Sequence, residues 1–122
     1  KRSILLPVSA PFHCSLMAPA AAEMEEALGE VGMLPPIVPL IANVTADEVI
    51  DPEEIKTLLI QQVTAMVRWR ECIVRLRQSG VETIVELGAG RVLAGLVRRI
   101  DREITTAVAH TPDDIEALLK TL

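Results

Sequence analysis

The sequence lacks the features that mark membrane proteins and disulfide-stabilised proteins. No apolar run is long enough to span a bilayer, and no charged-then-apolar leader opens the chain. Only two cysteines occur, Cys14 and Cys72, and they have no C-x-x-C spacing. We therefore expect no membrane partner, no disulfide framework and a location in the reducing cytoplasm. Because Lys-Arg-Ser stands in place of an initial Met, we also expect that Lys1 is not the native start.

Clustered positive charge of the kind that binds nucleic acid is also missing. The formal net charge is −5, and phosphate binding needs clustered cations that displace counterions. We therefore expect no nucleic-acid partner. The charge is uneven, however, because acids dominate the first half and most arginines lie between Arg68 and Arg102. This basic half fits either an acidic protein partner or arginines on solvated helix faces.

Several motifs that carry chemistry are absent as well. The sequence has no P-loop, no H-E-x-x-H and no metal-ligand cluster, and no serine has the flanking glycines of a G-x-S-x-G turn. Gly88-Ala89-Gly90 follows a predicted strand, but Leu93 occupies the third glycine position of a dinucleotide-binding motif. We expect a tight strand-to-helix turn there, with Gly95 allowing close packing. No metal site and no serine nucleophile are expected in this segment.

The sequence does contain alternating strand and helix patterns, which predict an α/β fold. The predicted strands are Ile4 to Val8, Ile37 to Thr45, Val81 to Leu87 and Thr105 to Ala109. The predicted helices are Leu16 to Val31 before Gly32, Asp51 to about Met66, Trp69 to Gly80, Val92 to Ile100, and one capped by Thr111-Pro112-Asp113-Asp114. Four short strands are too few for a complete doubly wound sheet, so we expect a piece of a larger domain.

Three polar residues stand out from this pattern. His13 and His110 each follow a predicted strand and precede a helix, where catalytic groups gather in open α/β sheets. Position alone does not choose between them, and a structural or merely exposed imidazole is the alternative for each. Gln62 lies on the apolar face of its predicted helix. It is either a core amide satisfied by backbone or a residue that borders a polar site.

One string of residues resembles a known family. Residues 9–17, Ser-Ala-Pro-Phe-His-Cys-Ser-Leu-Met, are similar to the histidine motif of the malonyl-CoA:acyl-carrier-protein transacylases. The resemblance covers essentially the whole chain, and it continues through residues 41–44, Gln62, residues 67–69 and residues 86–96. It implies the C-terminal part of a hydrolase-like parallel-sheet acyltransferase domain. Residues 1–11 would then be the last strand of a small ferredoxin-like subdomain, and residues 12–122 would belong to the large α/β subdomain.

The resemblance also implies an activity and roles for residues. The family transfers malonyl from coenzyme A to the phosphopantetheine thiol of acyl carrier protein through a serine acyl-enzyme, in fatty-acid biosynthesis. No cofactor is implied, because the coenzyme A thioester is a substrate. His13 would be the general base, oriented by the main-chain carbonyl of Gln62, and Phe12 would favour malonyl over bulkier acyl groups. Asn43 is a candidate pocket residue, and the candidate cations for docking the acidic carrier protein are Lys1, Arg2, Arg98 and Arg99.

Three parts of the family's active site are expected upstream of Lys1. They are the nucleophilic serine, the arginine that pairs with the malonyl carboxylate and the glutamine of the oxyanion hole. We therefore expect the segment alone to be inactive and to need the N-terminal part of the same enzyme as a partner. Two alternatives stay open: an acyltransferase domain of a polyketide or fatty-acid megasynthase, and a non-catalytic module that binds an acidic carrier protein.

Overall fold

The computed structural model of the chain describes residues 10–121 and divides the chain into two units, between Arg68 and Trp69. The predicted strand Ile4 to Val8 and the candidate docking residues Lys1 and Arg2 lie outside the described residues. The predicted subdomain boundary at residue 11 therefore stays a prediction.

The described part of the first unit, residues 10–68, contains two helices and a short hairpin. Its elements are a 3₁₀ turn at Ser15–Met17, helix α1 at Ala18–Gly29, strands β1 at Leu40–Ile41 and β2 at Glu48–Val49, and helix α2 at Pro52–Gln62. The side chain of Asp51 accepts the N–H of Glu54 at 2.8 Å, so α2 begins where its capping residue predicts. The apolar core joins the hairpin to α2 through Ala42, Val49, Ile55 and Leu58.

The predicted strand Ile37 to Thr45 is wrong in extent, because only β1 forms and it pairs antiparallel with β2, which the sequence did not predict. Pro39 has no N–H to donate to a strand ladder. On the other side the chain turns at once, since Ala42 N–H donates to the Asp47 carbonyl and Ala46 N–H to the Ala42 carbonyl. Ala46 has a φ of +57°, which belongs to a turn and not to a strand.

Two helices of the first unit end earlier than predicted. Helix α1 ends at Gly29, before the predicted stop at Gly32. Helix α2 ends at Gln62, not near Met66. After α2 two hydrogen bonds join residues three apart instead of four. Val63 N–H donates to the Ile60 carbonyl at 3.2 Å, and Thr64 N–H donates to the Gln61 carbonyl at 3.3 Å. Such bonds between residues three apart close the last turn of a helix, and here they leave the Gln62 carbonyl directed beyond it.

The second unit is a parallel βαβ arrangement with two further helices. Its elements are α3 at Trp69–Gln78, β3 at Thr83–Leu87, α4 at Val92–Ile100, β4 at Thr105–Ala109 and α5 at Pro112–Leu119. Strands β3 and β4 pair in parallel, from Thr83 with Thr105 to Leu87 with Ala109. Helix α4 packs on both strands, α3 packs on α4, and α5 packs on β4. Ile73 and Val97 are fully buried at the centre of this unit. The predicted α/β class is confirmed.

The predicted turn between β3 and α4 is present, and a carboxylate closes it. Gly88 and Gly90 have φ values of +119° and +101°, which L side chains rarely adopt. Glu86, on β3, accepts the N–H of Leu93 at 3.1 Å and that of Ala94 at 2.8 Å. These two amides belong to the first turn of α4, which has no intrahelical acceptors for them. Glu86 therefore caps α4 from the neighbouring strand.

The carboxyl ends of β3 and β4 form one hydrogen-bonded network around His110. Its ring Nδ1 bonds the Gly88 carbonyl, and its main-chain N–H donates to the Asp114 carboxylate at 2.9 Å. The hydrogen bond from the Ala94 N–H is the main cause that holds the pKa of Glu86 below its usual value. Desolvation partly offsets this lowering, while the Leu93 and Val92 amides and the electrostatic effect of His110 lower the pKa further. The His110 N–H, followed by Thr111, likewise lowers the pKa of Asp114. These hydrogen bonds therefore favour the ionised form of both carboxyl groups.

Gly95 and Gly88 are predicted to respond in opposite ways to replacement by alanine. The expectation that Gly95 allows close packing is wrong for residues 10–121, since a Cβ there would meet no described atom within 4 Å beyond the adjacent residues and the nearby backbone of its own helix. Gly95→Ala should stabilise the protein by about 0.5–1 kcal/mol, because alanine is the better helix former. Gly88→Ala should destabilise it by about 1–3 kcal/mol, because its φ is unfavourable for alanine. Urea unfolding measures both, and a destabilising Gly95→Ala would contradict this account.

Acid is predicted to weaken the turn that Glu86 closes. A carboxyl whose pKa is lowered on folding stabilises the fold above its unfolded pKa, about 4.3 for glutamate, and this contribution is lost as pH falls through the lower folded value. Between pH 7 and pH 3 the free energy of unfolding should therefore fall more for wild type than for Glu86→Gln. Glu82→Gln, at an exposed glutamate before β3, is the matched control. An equal fall in the free energy of unfolding between pH 7 and pH 3 for wild type and Glu86→Gln would contradict the prediction.

Candidate catalytic histidine and its support

His13 is held by a main-chain carbonyl at the end of α2. Its ring Nδ1 lies 2.8 Å from the carbonyl oxygen of Gln62. A carbonyl oxygen can only accept a hydrogen bond, so the proton of the pair lies on Nδ1. In the neutral imidazole the other nitrogen, Nε2, then carries a lone pair. The contact therefore selects the tautomer in which Nε2 can accept a proton from another group.

The position of Gln62 explains why its carbonyl is available. Gln62 is the last residue of α2, and the last four carbonyls of a helix have no intrahelical partner. These carbonyls also form the negative end of the helix dipole. The Nδ1–H of the His13 ring therefore bonds one of the carbonyls at the negative end of α2.

The backbone at His13 is unusual. Its φ is +56°, in the left-handed region that non-glycine residues seldom occupy. Such a conformation costs on the order of 1–3 kcal/mol and is enriched at functional sites, although turns such as that at Ala46 adopt it as well. The turn is supported locally by bonds from Phe12 N–H to the Ala10 carbonyl and from the Cys14 thiol to the Pro11 carbonyl. This turn presents His13 on an exposed segment just before the 3₁₀ turn.

Gln62 and Asn43 connect the histidine to a small pocket. The Asn43 amide donates to the Gln62 side-chain oxygen at 3.4 Å. Both residues line a pocket of about 160 Å³, whose other walls are Leu40, Ile41, Ala42, Ile55, Leu58 and Leu59. Of the two interpretations of Gln62, the structure favours the second, because its amide bonds a polar side chain and its carbonyl bonds His13. Asn43 and Gln62 are the two polar residues among those that line the pocket.

His110 shows the same type of contact in a different setting. Its Nδ1 also bonds a carbonyl, that of Gly88, so orientation of the ring does not by itself distinguish the two histidines. His110, however, lies in the network of the β3–α4 turn and the cap of α5, where Thr111 and Asp114 form a capping box. Its contacts account for the shape of that edge of the sheet.

The structure brings together some of the predicted site residues. Phe12, His13, Asn43 and Gln62 all lie in the first unit, and three of them form one chain of hydrogen bonds. Phe12 is 57% exposed beside His13. Arg98 and Arg99 lie in the last turn of α4 in the second unit, where Arg98 Nε donates to the Thr106 hydroxyl at 2.7 Å. The catalytic, selectivity and docking roles of these residues stay predictions.

Two residues with clear structural roles were not predicted. Arg68 donates its main-chain N–H to the Asn43 carbonyl at 2.9 Å and its Nη1 to the Thr45 carbonyl at 2.8 Å. Glu86 caps α4. A carboxylate at the end of a strand that precedes a glycine turn was a usable signal for Glu86. The contacts of Arg68 had no such signal, because they depend on how the hairpin loop meets the chain after α2.

The described residues hold neither a cluster of metal-binding side chains nor a helix that could span a membrane. Within residues 10–121, no group of three or more His, Cys, Asp or Glu side chains could hold a metal ion. No helix in that range has both the length and the apolar character needed to cross a membrane.

Known proteins match the whole chain, although no protein-family model does. Malonyl CoA-acyl carrier protein transacylase of Bacillus subtilis is 42% identical over 122 residues, which are 100% of this chain and 38% of that protein. The crystal structure of acyl-carrier-protein-S-malonyltransferase from Bartonella henselae is 53% identical, with a TM-score of 0.87, and the match covers 99% of this chain and 38% of that one.

A third match is a structure of a malonyl-transacylase in complex with a type II polyketide synthase acyl-carrier protein. It is 32% identical with a TM-score of 0.84, and the match covers 96% of this chain and 38% of that one. The chain thus spans less than half the length of the relatives that it matches. The resemblance seen in the sequence is confirmed: in sequence and fold, the chain is homologous over its length to the C-terminal part of the malonyl CoA-acyl carrier protein transacylases.

Proposed function

We propose that the complete protein transfers a malonyl group from coenzyme A to the phosphopantetheine thiol of acyl carrier protein, as a malonyl-CoA:acyl-carrier-protein S-malonyltransferase of fatty-acid biosynthesis. The observation that carries the proposal is the 2.8 Å contact between His13 Nδ1 and the Gln62 carbonyl, within a chain that matches transacylases of this name throughout. The contact leaves His13 Nε2 as the base that such a transfer needs.

The chemistry follows from the tautomer. Nε2 takes the proton of a serine hydroxyl as the serine oxygen bonds the thioester carbonyl carbon. The tetrahedral intermediate then collapses, the carbon–sulfur bond breaks, and Nε2 returns the proton to the departing coenzyme A sulfur. In the second half the carrier thiol gives its proton to Nε2 and its sulfur bonds the carbonyl carbon of the acyl-serine. The bond between that carbon and the serine oxygen then breaks, and Nε2 gives the proton to the serine oxygen. Atoms and protons balance without a cofactor, and we propose that none is used.

The remaining parts of the active site are proposed to lie in the part of the protein outside this chain. This part would supply the serine, the arginine for the malonyl carboxylate and the oxyanion-hole glutamine. The segment alone would then lack the donors that usually carry the largest share of the rate. Its partners in the reaction are malonyl-CoA, acyl carrier protein and that missing N-terminal part. We propose the cytoplasm as the location of the reaction.

Residues of the described chain are proposed to tune selectivity and docking. Phe12 is exposed next to His13, so its ring can limit the room beside the thioester for a substituent on the acyl α-carbon. Asn43 lines the pocket next to Gln62. Arg98 and Arg99 present positive charge on α4, which would steer an acidic carrier protein more than tighten its binding.

A carrier protein of polyketide synthesis is a second candidate acceptor. The observation that favours it is the solved complex of a related malonyl-transacylase with a type II polyketide synthase carrier protein. The transfer chemistry at His13 would be the same for both acceptors. Comparing the rates of transfer to the two kinds of carrier protein separates them.

His13→Ala in the full-length protein is predicted to lower kcat/KM for malonyl transfer by about 10²–10⁴-fold, because that is the usual contribution of a positioned general base. Transfer is measured as malonyl-carrier formation by mass spectrometry. His110→Asn is the control, because it removes the imidazole that bonds Gly88 in the β3–α4 turn and leaves the contact between His13 and Gln62 in place. Near-wild-type turnover of His13→Ala would contradict the assignment of His13 as the base.

A further inference from the structure

We propose that Asn43 is a positioning residue for the transfer reaction, which acts on His13 through Gln62. The inference rests on the proposed function, and it goes beyond it because it gives Asn43 a role that does not require contact with substrate. Its basis is a pair of hydrogen bonds to Gln62, one from Asn43 in the hairpin loop and one from the imidazole of His13.

One residue carries both links of this chain. The side-chain oxygen of Gln62 accepts from the Asn43 amide at 3.4 Å, while its main-chain oxygen accepts from His13 Nδ1 at 2.8 Å. The position of the Gln62 carbonyl depends on the backbone torsions of Gln62, and its side chain is fixed to the same α-carbon. A bond that holds the side chain therefore restricts the carbonyl that orients the ring.

The end of α2 needs such support. Gln62 is the last helical residue, and the turn that follows is tightened by bonds between residues three apart. Helix ends fray, and the last carbonyls have no intrahelical partner that fixes them. A misplacement of about 1 Å at a catalytic group can cost about 10²-fold in rate. Without a tether at Gln62, the Nε2 atom of His13 would sample a wider range of positions.

Arg68 fixes Asn43 from the other side. Its main-chain N–H donates to the Asn43 carbonyl at 2.9 Å, and its Nη1 donates to the Thr45 carbonyl at 2.8 Å. The hairpin loop at residues 43–45 is thereby tied to the chain that follows α2. The main-chain carbonyl of Asn43 is thus bonded to Arg68, while the side-chain amide of Asn43 is bonded to Gln62.

A double-mutant cycle in the full-length protein tests the proposal, with the variants Asn43→Ala, Gln62→Met and both together. Gln62→Met keeps the carbonyl that bonds His13 and removes only the side-chain link. If Asn43 acts through Gln62, each single variant lowers kcat about 10-fold with little change in KM for malonyl-CoA, and the double variant loses no more than either single. Gln61→Met, at the exposed preceding residue, is the matched control and keeps wild-type kcat.

The tautomer of His13 gives a readout that does not depend on turnover. Nitrogen NMR of histidine-labelled full-length protein, assigned with His13→Ala, should show the neutral Nδ1–H form in wild type and a mixture of both tautomers in Asn43→Ala and Gln62→Met. Arg68→Met should shift the tautomer in the same direction, because it releases the Thr45 carbonyl.

The kinetic and tautomer results distinguish failure of the proposal for Asn43 from failure of the proposed function. Losses in kcat that multiply in the double variant, or a raised KM for Asn43→Ala alone, would overturn the proposal in favour of direct contact between Asn43 and substrate. An unchanged tautomer in both single variants would overturn it as well. If wild type transfers no malonyl while the tautomer shifts as expected, the proposed function fails and the positioning of His13 by Asn43 stands.

Discussion

The candidate site depends on one hydrogen bond, from the Nδ1–H of His13 to the carbonyl of Gln62. This bond is possible because α2 ends at Gln62 and leaves that carbonyl without an intrahelical partner. It sets the tautomer of the ring and places it at the negative end of a helix dipole. The left-handed φ of His13 and the early end of α2 accompany this contact, and we propose that Asn43 and Arg68 hold it in place.

A hydrogen bond between a histidine Nδ1 and a main-chain carbonyl occurs at two places in the described residues, in different surroundings. The Nδ1 of His110 also bonds a carbonyl, that of Gly88, but the main-chain N–H of the same residue donates to the Asp114 carboxylate, whose pKa is lowered by that bond. There the contact ties the carboxyl ends of two parallel strands together. At His13 the ring instead projects from an exposed turn, bonded to the end of a helix. The surroundings of the two imidazoles, more than their orientation, therefore favour a structural role for His110 and the catalytic role that we propose for His13.

Local signals in the sequence predicted much of the fold. Asp51 and Thr111 predicted the starts of α2 and α5, because capping depends on residues within one turn. Gly88 and Gly90 predicted the turn between β3 and α4. The β1–β2 hairpin was missed, since a two-residue pairing leaves almost no periodic pattern.

The site was predictable only in part. Periodicity and position could not choose between His13 and His110, and the resemblance of the surrounding motif made that choice. The resemblance also pointed to the Gln62 carbonyl, and the structure has the contact. The links from Asn43 to Gln62 and from Arg68 to Thr45 join residues 19 and 23 positions apart, so no local pattern announced them.

We propose that His13 Nε2 is the base for a serine supplied by the rest of the protein. A crystal structure of the full-length protein with a malonyl-CoA analogue bound tests this directly. His13 Nε2 should then lie within about 2.6–3.2 Å of the serine Oγ, with Nδ1 still on the Gln62 carbonyl. A serine Oγ that faces Nδ1, or that lies beyond the reach of the ring, would contradict it.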